Sequence, residues 1–263
     1  MKNNFVDKYG PWAIIAGASE GTGRAFANEI AKNGVNCILI ARREEPLISL
    51  ANEIHSKYGV ECLAISVDLS KSDAFDKIID TVGTRQVGLY VSNAGSDPNN
   101  SYYLDRKIDV WIDLVTRNLL NTMNCCHYYG KLMQERKRGG LLLVGSGACY
   151  SGGKYMAIYS SLKAFTLRFG ESLWDELRSF NVDVLCLVLQ TTDTPFLRKF
   201  MAEKGKSLPS NLASPDHIAK KGLARLCKGP VYNWGFPVGF RGTWHRFRIW
   251  LFTNMSKIVL GNT

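Results

Sequence analysis

Short apolar runs alternate with longer amphipathic stretches along this chain. Residues 12–16, 36–41, 62–67, 87–91, 141–144 and 182–189 are apolar runs bounded by glycine or polar residues. Their length and flanks predict buried strands. Between them, residues 25–31, 44–58, 72–82, 109–136, 159–177 and 196–202 carry apolar positions three and four apart, the spacing of a helix face. Gly34 and Gly59 stand where the first two of these helices should stop. Ser214-Pro215-Asp216 marks the start of a last helix running to about Lys228. Strand–helix alternation of this kind predicts a parallel sheet with right-handed crossovers and helices on both faces. Ligands of such sheets sit beyond the strand C-termini.

Candidate chemistry collects at that edge. The first apolar run leads into Gly17-Ala18-Ser19-Glu20-Gly21-Thr22-Gly23 and then a helix. Glycines let the backbone approach a pyrophosphate, and the free N–H groups of a helix start attract it. The spacing Gly-x3-Gly-x-Gly is a variant of the dinucleotide fingerprint. The second run ends at Arg42-Arg43, with Glu44 and Glu45 following. An acidic residue about 20 positions after the glycines would hold a ribose 2′-OH, whereas arginine suits a 2′-phosphate. Arg42 favours NADP(H) over NAD(H). Asp68, Asn93, Ser146 and Gln190 end the later runs.

Tyr159 and Lys163 lie one turn apart on one helical face. A phenol titrates near pH ~10, and a neighbouring ammonium favours its ionised form. Such a pair can exchange a proton with an alcohol or carbonyl oxygen near neutral pH. A second copy, Tyr150-Ser-Gly-Gly-Lys154, contains two glycines that disfavour a helix. Tyr159 is the working tyrosine on this reading, and Tyr150 a loop residue of the pocket. Ser146, placed at the mouth of the sheet, can hydrogen-bond a substrate oxygen.

In order and spacing these motifs resemble the short-chain dehydrogenase/reductase family, roughly from Tyr9 to Lys228. The matching residues are Gly17-x3-Gly21-x-Gly23, Asp68, Asn93-Ala94-Gly95, Asn118, Ser146 and Tyr159-x3-Lys163. The resemblance implies a single-domain, Rossmann-type doubly wound parallel sheet and an NAD(P)-dependent oxidoreductase. It carries a catalytic tetrad over to Asn118, Ser146, Tyr159 and Lys163, with Lys163 also bonding the nicotinamide ribose and Asn118 holding a relay water. Cofactor contacts are implied for Gly17, Ser19, Gly21, Thr22, Gly23, Arg42, Arg43, Asp68, Leu69, Asn93, Ala94, Gly95, Thr192 and Thr194. Ala148, Tyr150, Tyr155, Gln190 and Phe196 are expected in the substrate pocket. Two positions depart from the family pattern: Ala16 precedes the first glycine where threonine is usual, and Leu189-Gln190 replaces Pro-Gly. A narrower similarity to bacterial hydroxysteroid dehydrogenases of the 7β type rests on Tyr9-Gly10-Pro11-Trp12, the glycine turn, residues 42–45 and the Thr194-Pro195 loop. It implies a steroid, bile-acid-like or other hydrophobic ketone substrate. The rival readings are a non-catalytic NADP(H)-binding sensor or scaffold and a membrane-surface-bound reductase.

Composition adds bounds. With 263 residues and 46% hydrophobic content the chain can build a sizeable core. It contains no apolar run of about 18 residues and no apolar core of a signal peptide at its start. Seven cysteines without Cys-x-x-Cys spacing read as reduced thiols, and the expected location is cytoplasmic. The four histidines lack metal-ligand spacing, so no metal is expected. Net charge is +10, and the 47 residues from His217 hold eight Lys/Arg and no Asp or Glu. No RNA-recognition or zinc motif accompanies that charge, so nucleic acid is not expected as a partner. Residues 1–240 read as the catalytic domain and 241–263 as a helical, basic C-terminal tail. In the tail Trp244, Phe247, Leu251, Met255 and Ile258 share one helical face. Packing on the protein or a neighbouring subunit is favoured over lying on an anionic membrane. A homodimer or homotetramer is expected, associating through the long helix around Asn118 and the helix of Tyr159.

Overall fold

A computed structural model describes residues 4–234 together with Phe247 and Trp250. Seven parallel strands form one sheet in the order β3-β2-β1-β4-β5-β6-β7. They are β1 (Trp12–Ala16), β2 (Asn36–Ala41), β3 (Cys62–Ser66), β4 (Val87–Ser92), β5 (Gly139–Ser146), β6 (Val182–Leu189) and β7 (Val231–Asn233). The strands alternate which face each side chain enters. Ala13, Ile15, Cys37, Leu39, Leu142, Leu185 and Leu187 belong to one apolar core. Ile14, Ile38, Ile40, Leu141, Leu143 and Val184 belong to the other. Burial on both faces is why these strands read as nearly continuous apolar runs.

The helices divide between the two cores. On the first face α2 (Gly21–Lys32) contributes Phe26 and Ile30, α3 (Glu44–Tyr58) Leu47, Leu50 and Ile54, and α9 (Pro215–Arg225) Ile218 and Leu223. On the second, α4 (Ala74–Val82) contributes Ile78, α6 (Asn121–Glu135) Cys125, Tyr129 and Met133, and α7 (Ala157–Leu177) Leu177. Gly59 closes α3 in the left-handed conformation, φ 70°. The stretch predicted as one helix over 109–136 is α5 (Ile108–Val115), a π turn (Thr116–Leu120) and α6 in succession, with Asn118 in the π turn. Two elements escape the sequence pattern. The helix α1 (Asn4–Tyr9) is one short turn and a half; Tyr9 Oη donates to Asp183 at 2.7 Å and Lys8 pairs with Asp183 at 2.9 Å. Strand β7 has only three residues and extends the edge beside β6. The helix α8 (Pro195–Glu203) borders the cavity at the strand ends.

No helix among the described residues is long and apolar enough to cross a membrane. All seven cysteines are free thiols. Of the tail expectation, only Phe247 and Trp250 fall within the described residues; their rings stack at 6.0 Å and both are exposed.

Candidate active site

The order of strands reverses between β1 and β4, which opens a crevice at their C-terminal ends. The chain leaves β1 at Gly17, whose φ of +79° suits glycine. The N–H groups of Gly17 and Ala18 both donate to Ile40 O, at 2.8 and 3.0 Å, folding the turn against β2. Asn93, at the end of β4, donates from Nδ2 to Gly17 O at 3.2 Å and ties the turn to the other side of the crevice. A Cβ on Gly17 would stand 3.0 Å from Ala94, and one on Gly23 would collide with the Gly17 carbonyl. The turn is thus packed too closely for side chains, and it delivers α2 with no side-chain cap on its first N–H groups. Free N–H groups at a helix start favour an anion.

Arg42, Arg43, Asp68 and Leu69 follow β2 and β3 at one end of the crevice. Arg43 donates to Glu20 Oε2 at 2.6 Å. Arg42 makes no side-chain hydrogen bond or ion pair among the described residues. Burial alone would raise the Asp68 carboxyl; the N–H and Oγ of Ser70, at 3.0 and 2.9 Å, with the charges of Arg42 and Arg117, instead hold it below the ordinary carboxylate range. Asn121 in α6 donates to Leu69 O at 2.5 Å and fixes this loop to the helix that follows Asn118.

A polar group occupies the other end. Lys163 is buried and donates from Nζ to Val144 O at 3.0 Å. Its Nζ lies 5.7 Å from the centre of the Tyr159 ring. Ser146 Oγ accepts from Ala148 N–H at 3.3 Å. Asn118 is buried; its Nδ2 donates to Leu114 O at 2.9 Å, while Oδ1 has no partner among the described residues. A Cβ on Gly95 would collide with Asn118 Oδ1 and come within 3.0 Å of Lys163 Nζ, so glycine here lets Asn118 and Lys163 approach one another. Beyond this group the walls are apolar. Tyr155, held at φ +64°, packs its ring 4.6 Å from Tyr102. Phe196 and Phe200 of α8 stack at 6.2 Å. Met156, Leu189 and Ala148 complete that wall.

One cavity of about 1110 Å³ joins the two ends. It is lined by Gly17, Ser19, Gly21, Thr22, Arg42, Arg43, Asp68, Leu69, Asn93, Ala94, Gly95, Ser146, Tyr159, Lys163, Thr192 and Thr194, and on the apolar side by Ala148, Tyr155, Gln190 and Phe196. Gly23 and Asn118 stand just behind this wall. Tyr150 is not brought to it: its hydroxyl donates to Asn233 Oδ1 of β7 at 2.5 Å, and burial foremost pushes the phenol up to about 12. Arg117, Met156, Asp97 and Lys199 line the cavity without having been singled out in the sequence. For Arg117 a signal existed, since it directly precedes Asn118. Among the described residues no cluster of His, Cys, Asp or Glu could hold a metal ion.

Comparison with known proteins fits this geometry. The family model for short chain dehydrogenases matches residues 11–205. A very-long-chain 3-oxoacyl-CoA reductase of Laccaria bicolor is 38% identical over 183 residues, 68% of this chain and 54% of that protein, so the chain spans about half the length of this relative. A 7β-hydroxysteroid dehydrogenase of Clostridium sardiniense is 31% identical over 231 residues, 87% of each chain. A solved structure from a study of 7β-hydroxysteroid dehydrogenase stereoselectivity superposes with a TM-score of 0.80 at 27% identity, covering 91% of this chain and 92% of that one. The chain belongs to the short-chain dehydrogenase family and is an oxidoreductase of that family.

Proposed function

We propose that this chain interconverts a carbonyl and a secondary alcohol on an apolar substrate, steroid-like, bile-acid-like or another hydrophobic ketone, with NADP(H) as cofactor. The observation that carries this reading is a single cavity with an anion-binding turn and Arg42 at one end and Tyr159, Ser146 and Lys163 at the other. The residues fit a dinucleotide. The cradle formed by Gly17, Gly21 and Gly23 has no room for side chains against Ala94, Thr194 and Gly17 O, and the unpartnered Arg42 suits a 2′-phosphate. Ser19, Thr22, Asp68, Leu69, Asn93, Ala94, Thr192 and Thr194 would complete its binding surface, with Arg43 beside Arg42.

When bound, the nicotinamide ring supplies hydride to a carbonyl carbon, or takes it from an alcohol carbon. The chain handles the proton. In reduction Tyr159 donates its phenolic proton to the substrate oxygen as charge develops there. Ser146 already accepts from Ala148 N–H, which leaves its own proton free to hydrogen-bond that oxygen. Lys163, anchored on Val144 O, places a positive charge beside Tyr159 and stabilises the phenolate left behind. Asn118 Oδ1 is an acceptor that would hold a water relaying protons to Lys163. Oxidation reverses each transfer.

The apolar wall formed by Tyr155, Met156, Leu189, Phe196 and Phe200 supports a hydrophobic substrate. The Clostridium relative, named a 7β-hydroxysteroid dehydrogenase, matches over most of its length and supports a hydrophobic ketone or alcohol as substrate. The test is a screen of steroid, bile-acid and aliphatic carbonyl compounds with NADPH, followed at the nicotinamide absorbance band. Tyr159→Phe should keep cofactor binding and lose turnover by at least about a hundredfold. Tyr150→Phe should keep most activity, because its hydroxyl is spent on Asn233. The reverse pattern would overturn the assignment of the proton donor.

A further inference from the structure

Arg117 is a third guanidinium lining the cavity, after Arg42 and Arg43, and is carried by the π turn Thr116–Leu120 rather than by a strand end. Its Nε is buried and has no hydrogen-bond partner among the described residues. Three carboxylates, Asp68, Asp113 and Asp97, act on it electrostatically, but none pairs with it in direct contact. Asp68, the first of these, already accepts two hydrogen bonds from Ser70. Arg42 acts on Arg117 with like charge. Burial first, and the Arg42 charge second, hold this guanidinium below the ordinary arginine range. A partly desolvated cation facing another cation, with no anion in contact, is a costly arrangement. An anion entering between the two would reverse that cost, since planar guanidinium groups bind phosphate oxygens in paired hydrogen bonds.

The anion must reach the ends of β2 and β3, because Arg42 and Asp68 stand there. At that end of a bound NADP(H) the charged group is the phosphate on the adenosine ribose. We infer that Arg117 takes this 2′-phosphate from the helix side of the crevice while Arg42 takes it from the strand side. Preference for NADP(H) then depends on two arginines from different elements. This rests on the NADP(H) reading above and extends it to a residue outside the strand-end position where arginine is sought.

Binding of two fragments to the full chain tests it by calorimetry, without turnover: 2′,5′-ADP, which carries the phosphate, and 5′-AMP, which lacks it. The unmutated protein should bind 2′,5′-ADP the more tightly. Arg117→Met keeps the apolar stem and removes the charge; it should lose about tenfold or more on 2′,5′-ADP and stay within about twofold on 5′-AMP. Arg117→Lys should recover part of that loss, which a purely structural role of the side chain would not explain. Equal loss on both fragments would place Arg117 against the base and overturn the assignment, as would no loss on either. If Arg117→Met does not fold, Arg117→Lys decides alone: a charge of poorer geometry should weaken 2′,5′-ADP only. Failure of the underlying reading looks different, because the unmutated protein would then not distinguish the two fragments. If it does distinguish them, and Arg42→Asp removes the distinction while both Arg117 variants keep it, only the inference about Arg117 fails.

Discussion

Arg42 and Arg43 are neighbours in sequence but differ in what already holds them. Arg43 is bound to Glu20 across the glycine turn, through a pair in which both side chains are exposed. Such a pair contributes about 1 kcal/mol or less, but it occupies Arg43 in a position beside the turn. Arg42 has no such partner among the described residues, and on the function proposed above it is the arginine that meets the 2′-phosphate. Arg42→Asp should weaken NADP(H) by about ten- to a hundredfold, the range for losing a charged hydrogen bond, and should improve NAD(H). Arg43→Ala should have the smaller effect. Dissociation constants for NADPH and NADH measured on the three proteins check this; equal use of both cofactors by the unmutated protein would remove its basis. At this scale the sequence was informative where motif spacing constrains chemistry. The placement of Tyr159 and Lys163 on one helical face was legible because no glycine falls between them or within the turn on either side. Tyr150 was not, since nothing in the sequence reveals that its hydroxyl reaches Asn233, 83 residues away.

Among the elements, α8 is held differently from the helices of the core. It buries none of its residues. Its attachment is at the N-terminus, where Thr194 Oγ1 accepts from Leu197 N–H at 3.2 Å and Pro195 takes the first helical position. Thr194 also packs on the glycine turn: a Cβ added to Gly21 would lie 3.0 Å from its methyl group. Asp193 accepts two hydrogen bonds from Arg198, at 2.6 and 2.7 Å, across the first turn. A helix with few buried apolar contacts opens at low cost. Amide exchange across 195–203 should therefore be faster than in α7 and should slow when NADPH is added. Thr194→Val removes the cap, worth about 1 kcal/mol, and should speed exchange in α8 with little change in the melting temperature. Equal protection of α8 and α7 would show that α8 is part of the core. The Thr-Pro pair made the start of α8 legible, as Gly59 did for the end of α3. The π turn was not legible, because Thr116–Leu120 continues the apolar spacing of the helices on either side. Its effect appears only in three dimensions, where it carries Arg117 to the cavity wall and Asn118 to the space behind Gly95. Strand β7 was hidden by length: three residues within a Gly/Pro-rich stretch give no period to read.

At the scale of the whole molecule, one apolar surface stands exposed on the described helices. Ile108, Ile112, Leu120, Met123 and Tyr128 are exposed along α5, the π turn and α6. Their contiguity along one helical stretch is the reason to expect a dimer or tetramer. Light scattering at micromolar concentration should find it, and Ile112→Glu should shift the protein toward monomer. The tail bears on assembly through its sequence: aromatic residues alternate there with Arg241, His245, Arg246 and Arg248. Two roles fit that composition: packing on protein, including a neighbouring subunit, or lying on an anionic lipid surface that takes aromatic rings and positive charge together. We favour the subunit, because the α5–α6 surface already calls for a second copy. Deleting residues 242–263 separates the two. If the tail packs on protein, the truncated chain should melt at lower temperature or fall to a smaller oligomer, and the intact chain should not sediment with vesicles. If the tail is a lipid-binding element, the truncated chain should keep its melting temperature, oligomeric state and turnover. It should lose only a binding to phosphatidylserine vesicles that weakens steeply between low and physiological salt. That second result would move the enzyme to a membrane surface, where a hydrophobic ketone would reach the cavity from the lipid rather than from water.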